Sequence, residues 1–277
     1  MNIVFFGSSS FAAQDLIIDL EKKYNTYFFS RKKNIKKNFY YFDLNNKVLR
    51  LNKILRIKKI DYLFFFSSFV PIKENKSTWK QCRFTNVIGL IRLLIHLKVP
   101  IKKIILASSC SLYGNKKNLN NEENFLKPIN GYSLSKLMQE NILKVFCNKN
   151  HISFLNYRLG YVYGNKMNAL RLVKRLLIKH KNKKQIKIFN KNLNLNLIHT
   201  KDIANLILKS FKKAEGTFNL TDPNKITLRS YYQILMRNHL NIVREKNNYS
   251  PKKFFSKFPN LKISKFEYRI NDFINEA

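Results

Sequence analysis

The chain has 277 residues, 45% of them hydrophobic, enough to bury a sizeable core as one domain or as a domain with a smaller lobe. Its 53 Lys and Arg against 16 Asp and Glu give a formal net charge of +37; this suits anionic partners (nucleic acid, acidic lipid or phosphorylated metabolites), or else reflects AT-rich coding, which raises Lys, Asn, Ile and Phe together. Cys82, Cys110 and Cys147 are far apart and form no C-x-x-C, which argues against a disulfide framework or a zinc site and fits a reducing cytoplasm.

Residues 2–6 read as a strand, followed by the turn Gly7-Ser8-Ser9-Ser10 and a helix over 11–23. Met1 to Phe6 has no basic flank, so it reads as a buried strand rather than a signal peptide. Strands are expected over 26–29, 39–42 and 62–66. The apolar stretch 60–72 is broken by Asp61, Ser67, Ser68 and Pro71, too short and polar to span a bilayer. One long helix is expected over 77–97, a strand over 103–107, a helix over 132–146 and a strand over 153–157. Alternating strands and helices imply an α/β protein, a doubly wound parallel sheet of Rossmann type. Ligands of such sheets bind beyond the carboxyl ends of the strands, where Ser109 falls. After Gly164 the pattern is less regular, with helices over 168–180, 202–212 and 228–237 and a short strand over 217–220. The tail over 247–265, rich in Lys, Phe and Pro, shows no clear pattern. The expected division is a dinucleotide-binding domain over 1–164 and a substrate lobe over 165–277, with some elements returning to the main sheet.

Three segments carry candidate chemistry. The first is the turn after the first strand. Backbone N–H groups of Gly7, Ser10, Phe11 and Ala12 at a helix start would cradle a pyrophosphate, with Ser10 crowding the place usually held by a second glycine and Ala13 serving the third. The alternative is a plain strand–turn–helix. The second is the end of the second strand, where Ser30-Arg31-Lys32-Lys33 stands in place of the acid that binds a ribose 2′-hydroxyl. Arg31 suits a 2′-phosphate and slightly favours NADP over NAD, although a solvated basic turn is the alternative. Asp43, before Leu44, would reach the adenine or cap a helix.

The third is Tyr132 and Lys136, four apart on one helix face with Ser109 upstream. A nearby ammonium would lower the phenol's pKa and make it an acid/base near neutrality, while Ser109 holds the substrate oxygen. The Tyr-x-x-x-Lys spacing also occurs at Tyr113/Lys117 and Tyr249/Lys253. Tyr113 leads into a loop and Tyr249 precedes Ser250-Pro251, so only Tyr132 opens a good helix.

Taken in order, these motifs resemble the extended short-chain dehydrogenase/reductases, the NAD-dependent nucleotide-sugar epimerase/dehydratase family. They are the Gly7 turn, Phe42-Asp43-Leu44, Asp61 to Ser68, Asn86-Val87-Ile88-Gly89, Ser108 to Gly114, Pro128 to Lys136 with Glu140, Arg158 to Gly164, Ile198 to Ala204 and Phe218-Asn219-Leu220. The resemblance covers residues 1–240. It implies Tyr132 as acid/base, Lys136 tuning it and binding the nicotinamide ribose, Ser109 on the substrate oxygen, and Asn86 in support. Arg158 and His199 read as structural and Cys110 as a small buried residue. The family's dehydratases carry an Asp-Glu pair where this chain has Cys110 and Ser111, which argues against dehydration. Its diphosphate-binding arginine is replaced by Asn194, Leu195 and Asn196, leaving Arg171 or Lys191 to bind phosphate. The expected activity is epimerisation or reduction of a nucleotide-linked sugar with NAD or NADP, without a metal, in the cytoplasm. Nucleic acid is the less favoured partner, and a homodimer is left open. The competing class is a non-catalytic Rossmann-fold protein that binds a partner or nucleic acid.

Overall fold

The computed structural model describes residues 1–32, 34–45, 51–114, 119–184, 193–236, 245–246, 248–264 and 266–275, with backbone alone at 52, 53, 245, 246 and 267. The first half runs β1 (Asn2–Phe6), a 3₁₀ turn (Phe11–Ala13), α1 (Gln14–Lys23), β2 (Asn25–Ser30), β3 (Phe39–Tyr41), α2 (Leu51–Ile54) and β4 (Ile60–Phe65). Then come α3 (Lys76–Gln81), a π-helical stretch (Cys82–Ile88), α4 (Gly89–His96), β5 (Ile101–Ser109), a 3₁₀ turn (Cys110–Tyr113), α5 (Gly131–Lys149) and β6 (Ser153–Leu159). The second half comprises β7 (Tyr161–Tyr163), α6 (Leu172–Lys181), β8 (Asn194–Leu195), β9 (Leu197–His199), α7 (Thr200–Ser210) and β10 (Gly216–Leu220). It ends with β11 (Asn224–Thr227), α8 (Leu228–Leu235), β12 (Glu245–Lys246), α9 (Lys252–Lys257) and α10 (Phe266–Asn275).

Seven parallel strands form the central sheet in the order β10-β6-β5-β4-β1-β2-β3. Successive side chains of a strand point to opposite faces, and a sheet covered on both faces needs both sets apolar. β1 meets that demand. Ile3 and Phe5 enter one core with Phe28, Phe64 and Leu16, whereas Val4 and Phe6 enter the other with Phe29, Phe65 and Leu90. Phe5 stacks on Phe64 at 5.5 Å between centroids and Phe6 on Phe29 at 5.0 Å. The fold is therefore a Rossmann-like doubly wound sheet. Its strand order reverses between β1 and β4, opening a crevice at their carboxyl ends.

Elements after Gly164 return to this body. β10 pairs with β6 from Gly216↔Leu155 to Leu220↔Leu159. Phe254 of α9 is fully buried against Tyr157 and Phe218. A third core gathers Tyr163, Val173, Leu197, Tyr231, Ile270 and Phe273 from β7, α6, β9, α8 and α10. The smaller sheets are β12-β11-β8 and β7-β9.

The expected single helix over 77–97 differs in the structure. It is interrupted by seven π-helical residues, Cys82–Ile88, whose extra residue per turn re-aims side chains; such interruptions gather at functional positions. Here the stretch turns Asn86 inward, fully buried. The helix expected from 168 instead starts at Leu172, because the Asn168 side chain accepts the Leu170 N–H and holds a turn ahead of it. Arg237, the expected end of α8, lies outside the described residues, as do Asn247 and Lys265 at the ends of the tail.

Candidate active site

A cleft of about 910 Å³ opens at the carboxyl ends of β1, β4, β5 and β6. Nearly every candidate residue lines it, from Gly7, Ser10, Phe11 and Ala12 through Arg31, Asp43 and Leu44 to Ser109, Tyr132, Lys136 and Arg171. Asn86 stands behind its wall. Lys191, expected as a phosphate ligand, lies outside the described residues, as does Lys117 of the Tyr113 pair.

The turn after β1 requires glycine at one place. Gly7 has φ +95°, and a Cβ there would sit 2.5 Å from the Ser67 nitrogen and 2.6 Å from the Phe66 carbonyl carbon. Gly7 and Ser8 donate N–H bonds to the Phe29 carbonyl at 2.8 and 3.1 Å, tying the turn to β2. Ser10 has φ −65° and ψ 130°, a conformation open to any residue, so the backbone does not demand glycine at that position. Ala13 is fully buried in the core beneath the helix start, in the close-packing role.

Across β2, the Ser30 hydroxyl donates to the Lys32 carbonyl at 3.0 Å and accepts the Lys32 N–H at 3.3 Å, leaving Arg31 and Lys32 exposed at the cleft. Asp43 accepts the Asn45 N–H at 2.9 Å, the turn-forming role, with its side chain half-buried on the same cleft. Leu44 packs against Gly89, where an added Cβ would meet the Leu44 Cβ at 2.7 Å.

α5 begins at a capping box. The Asn130 side chain accepts the Ser133 N–H at 2.8 Å, and the Ser133 hydroxyl accepts the Asn130 N–H at 3.2 Å. The cap places Tyr132 in the first turn and Lys136 one turn further, on the face toward β5. Ser109 ends β5 and caps the following 3₁₀ turn, accepting the Ser111 N–H at 3.2 Å. Its hydroxyl donates to Ser111 Oγ at 2.9 Å and stands near enough to the Tyr132 phenol to draw its pKa down.

The electrostatics differ from the expectation. Burial pushes the Tyr132 phenol up to about 12, with the Ser109 hydroxyl and the Arg171 charge pulling the other way. Lys136 is not among the groups that lower it, because its amine, brought down by burial, is neutral before the phenol ionises. Its Nζ donates to the Ala107 carbonyl at 2.6 Å and to Gln139 Oε1 at 2.9 Å. Burial brings Lys136 down to about 7, partly opposed by Glu140. In this pair it is the lysine that titrates near neutrality.

Behind these groups lies a buried polar network. Asn86 Oδ1 accepts the Phe69 N–H at 2.6 Å, and its Nδ2 donates to the Phe69 carbonyl and to Ser135 Oγ at 3.0 and 2.8 Å. Arg158 forks onto Glu140 through Nε and Nη2 at 3.0 and 2.8 Å, and its Nη1 donates to the Tyr113 hydroxyl at 2.8 Å. Burial disfavours the Arg158 charge, but the Glu140 hydrogen bonds and carboxylate outweigh it and raise its pKa. Tyr113 in turn donates to Asn219 Oδ1 at 2.8 Å, which fixes Tyr113 as a support. Cys110 is buried with its thiol donating to the Arg158 carbonyl at 3.2 Å. His199 is buried too, its Nδ1 accepting the Lys201 N–H at 3.1 Å at the start of α7 and its ring edge-on to Tyr163.

Among the residues near this group that the sequence reading did not place there are Lys166, Tyr249 and Gln139. Lys166 lines the cleft two positions after Gly164, where a lysine in so basic a chain carries no distinguishing signal. Tyr249 reaches the cleft from the tail and stacks on Tyr113 at 5.6 Å, a contact no local pattern reveals. Gln139 differs in being adjacent to the recognised Glu140 and three residues from Lys136, on one helix face with it. Arg171 precedes α6 and donates to the Val70 carbonyl at 3.3 Å. Among the described residues, no three His, Cys, Asp or Glu side chains are grouped to hold a metal, and no helix is long and apolar enough to cross a membrane.

The glycine turn, the strand reversal and the Ser109–Tyr132–Lys136 group border one cleft, and comparison with known proteins gives the family of the chain. The chain belongs to the NAD dependent epimerase/dehydratase family, whose model matches residues 6–221. Over 110 residues it is 34% identical to a UDP-glucose 4-epimerase of Lactobacillus helveticus, a match covering 39% of this chain and a third (33%) of that protein's length. Among solved structures it resembles the Thermotoga maritima UDP-glucose 4-epimerase with UDP-glucose (TM-score 0.85, 17% identity, 100% of this chain and 98% of that one). It also resembles the Bacillus cereus UDP-glucuronic acid 4-epimerase in complex with UDP-glucuronic acid and NAD (TM-score 0.84, 16% identity, 100% and 98%).

Proposed function

We propose that this protein is a nicotinamide-dependent epimerase acting on a nucleotide-linked sugar. The observation that carries the reading is convergence. A positive-φ glycine turn at a helix start, a basic turn after β2 and the Ser109–Tyr132–Lys136 group all border one cleft. The cleft fits a dinucleotide. A Cβ at Gly7 would invade the neighbouring strand end, and the helix start beyond it carries the partial positive charge that suits a pyrophosphate.

When bound, the nicotinamide would accept a hydride from the sugar carbon and return it. Tyr132 would take the proton of the hydroxyl on that carbon and give it back, with Ser109 hydrogen-bonded to the same oxygen. Lys136 would hold the ribose and, when charged, favour the phenolate. Arg171 and Lys191 are assigned to the substrate phosphates, Asn86 to supporting the constellation, and residues 165–277 to the substrate lobe. With Cys110 and Ser111 where a dehydratase needs carboxyls, no acid and base remain there for eliminating water.

Reduction of the sugar with NADPH is the second reading, favoured by Arg31 and Lys32 at the cleft. One experiment separates the readings. Purified protein is offered UDP-sugars with NAD, NADH, NADP or NADPH, and nicotinamide absorbance and product stereochemistry are followed. Inverted stereochemistry without net absorbance change supports epimerisation, and stoichiometric NADPH loss supports reduction. No nicotinamide binding, together with steeply salt-dependent DNA or RNA binding, would overturn both in favour of a non-catalytic binder.

A further inference from the structure

We propose that Gln139 is a positioning residue for the active-site lysine, fixing which hydrogen-bonding face Lys136 turns to the cleft. The inference rests on the reading of Lys136 as part of the acid/base group. Gln139 is fully buried, one turn beyond Lys136 on α5. Its Nε2 donates to the Asn86 carbonyl at 2.8 Å, in the π-helical stretch. A carbonyl can only accept, so the amide has one permissible orientation and Gln139 Oε1 must face Lys136, 2.9 Å from Nζ. The Ala107 carbonyl is likewise acceptor-only, 2.6 Å away. Two of the lysine's N–H groups are therefore committed away from the cleft. A charged Lys136 has a third N–H to offer the cleft, whereas a neutral one offers its lone pair. Gln139 thus makes the protonation of one amine a choice between donor and acceptor, and anchors that amine to the segment bearing Asn86.

The groups facing Lys136 leave this step to the lysine itself. Glu140, on the same helix, raises its pKa but is paired with Arg158 from β6. Burial holds the proton on Tyr132 up to about 12 and that on Cys82, from the π-helical stretch, up to about 11. The test is an NMR pH titration of Lys136 in the full-length protein labelled with ¹³C-lysine, assigned by the resonance missing in Lys136→Met. Gln139→Glu adds a carboxylate beside the ammonium, and should move the titration upward by about one to three pH units. Gln139→Leu removes an acceptor, and should move it downward by about one unit. Gln139→Glu keeps the length of the native side chain and the acceptor facing Lys136 but loses the donor to the Asn86 carbonyl, and it carries the test if Gln139→Leu fails to fold. Unchanged titration in a folded Gln139→Glu variant would overturn the proposal. In parallel, NAD binding is followed through the fluorescence of Trp79, the chain's single tryptophan, which packs on Gly131 beside Tyr132. Its pH midpoint should shift with the lysine. Failure of NAD to bind at any pH would defeat the enzymatic reading, while the lysine titration would still decide the role of Gln139.

Discussion

Glu140→Gln is the perturbation whose size follows most directly from the structure. The Glu140 carboxylate receives Arg158 Nε and Nη2 at 3.0 and 2.8 Å and the Ser108 hydroxyl at 2.5 Å. The side chains of Arg158 and Glu140 are only 7% and 9% exposed, so water cannot replace either partner. The substitution preserves shape and leaves the guanidinium buried without its counter-charge. Breaking one side of such a pair costs about 3–5 kcal/mol. At about 2–4 °C per kcal/mol for a chain approaching this size, Tm should fall by about 6–20 °C. Scanning calorimetry measures it, with a urea midpoint as a second reading. Replacing both partners, Glu140→Leu with Arg158→Met, should recover much of the loss, because no orphaned charge remains. A fall below about 3 °C in the single variant would refute the reasoning, since it would mean that solvent reaches the pair.

Gly7→Ala should abolish NAD binding and destabilise the fold by about 1–3 kcal/mol, because it forces a Cβ at φ +95° to within 2.5 Å of the Ser67 nitrogen; isothermal titration and a urea melt check both. Lys136 has its pKa lowered from 10.5 to about 7 on folding, so the unfolded chain binds more protons between those values and stability should rise with pH across that window. The Lys136→Met variant should lack this rise, and denaturant midpoints at a series of pH values measure the difference. Arg31→Ala should weaken NADP binding about ten- to a hundredfold and leave NAD binding nearly unchanged if the basic turn holds a 2′-phosphate; parallel titrations with the two cofactors decide it.

The central strands were legible because their physics is local. β1 is an apolar run closed by a glycine, and β4 and β5 need apolar side chains on both faces. Tyr132 was singled out by its helix start, and the capping box of Asn130 and Ser133 is the physical form of that signal. The interruption over Cys82–Ile88 was not legible, since a π-helical stretch follows from where Asn86 must point and not from residue propensity. The tail was opaque for a related reason. Phe254 and Tyr249 are fixed by partners 97 and 136 residues away, Tyr157 and Tyr113, which no window along the chain contains. The electrostatic expectation for Tyr132 failed because spacing places Lys136 on the right face but does not say how far burial strips its charge or which acceptors claim its protons. The Ala107 carbonyl and Gln139 claim two of them, and burial then governs both pKa values.

The central claim is that Tyr132 moves the proton when a nucleotide-linked sugar exchanges its hydride. Comparing turnover of wild type and Tyr132→Phe on the UDP-sugar that wild type converts, with NAD binding followed through Trp79 fluorescence, tests it most directly. The account predicts turnover reduced about 10²–10⁴-fold with NAD affinity retained, since only the phenolic hydroxyl is removed. Wild-type turnover in the NAD-bound variant would contradict it.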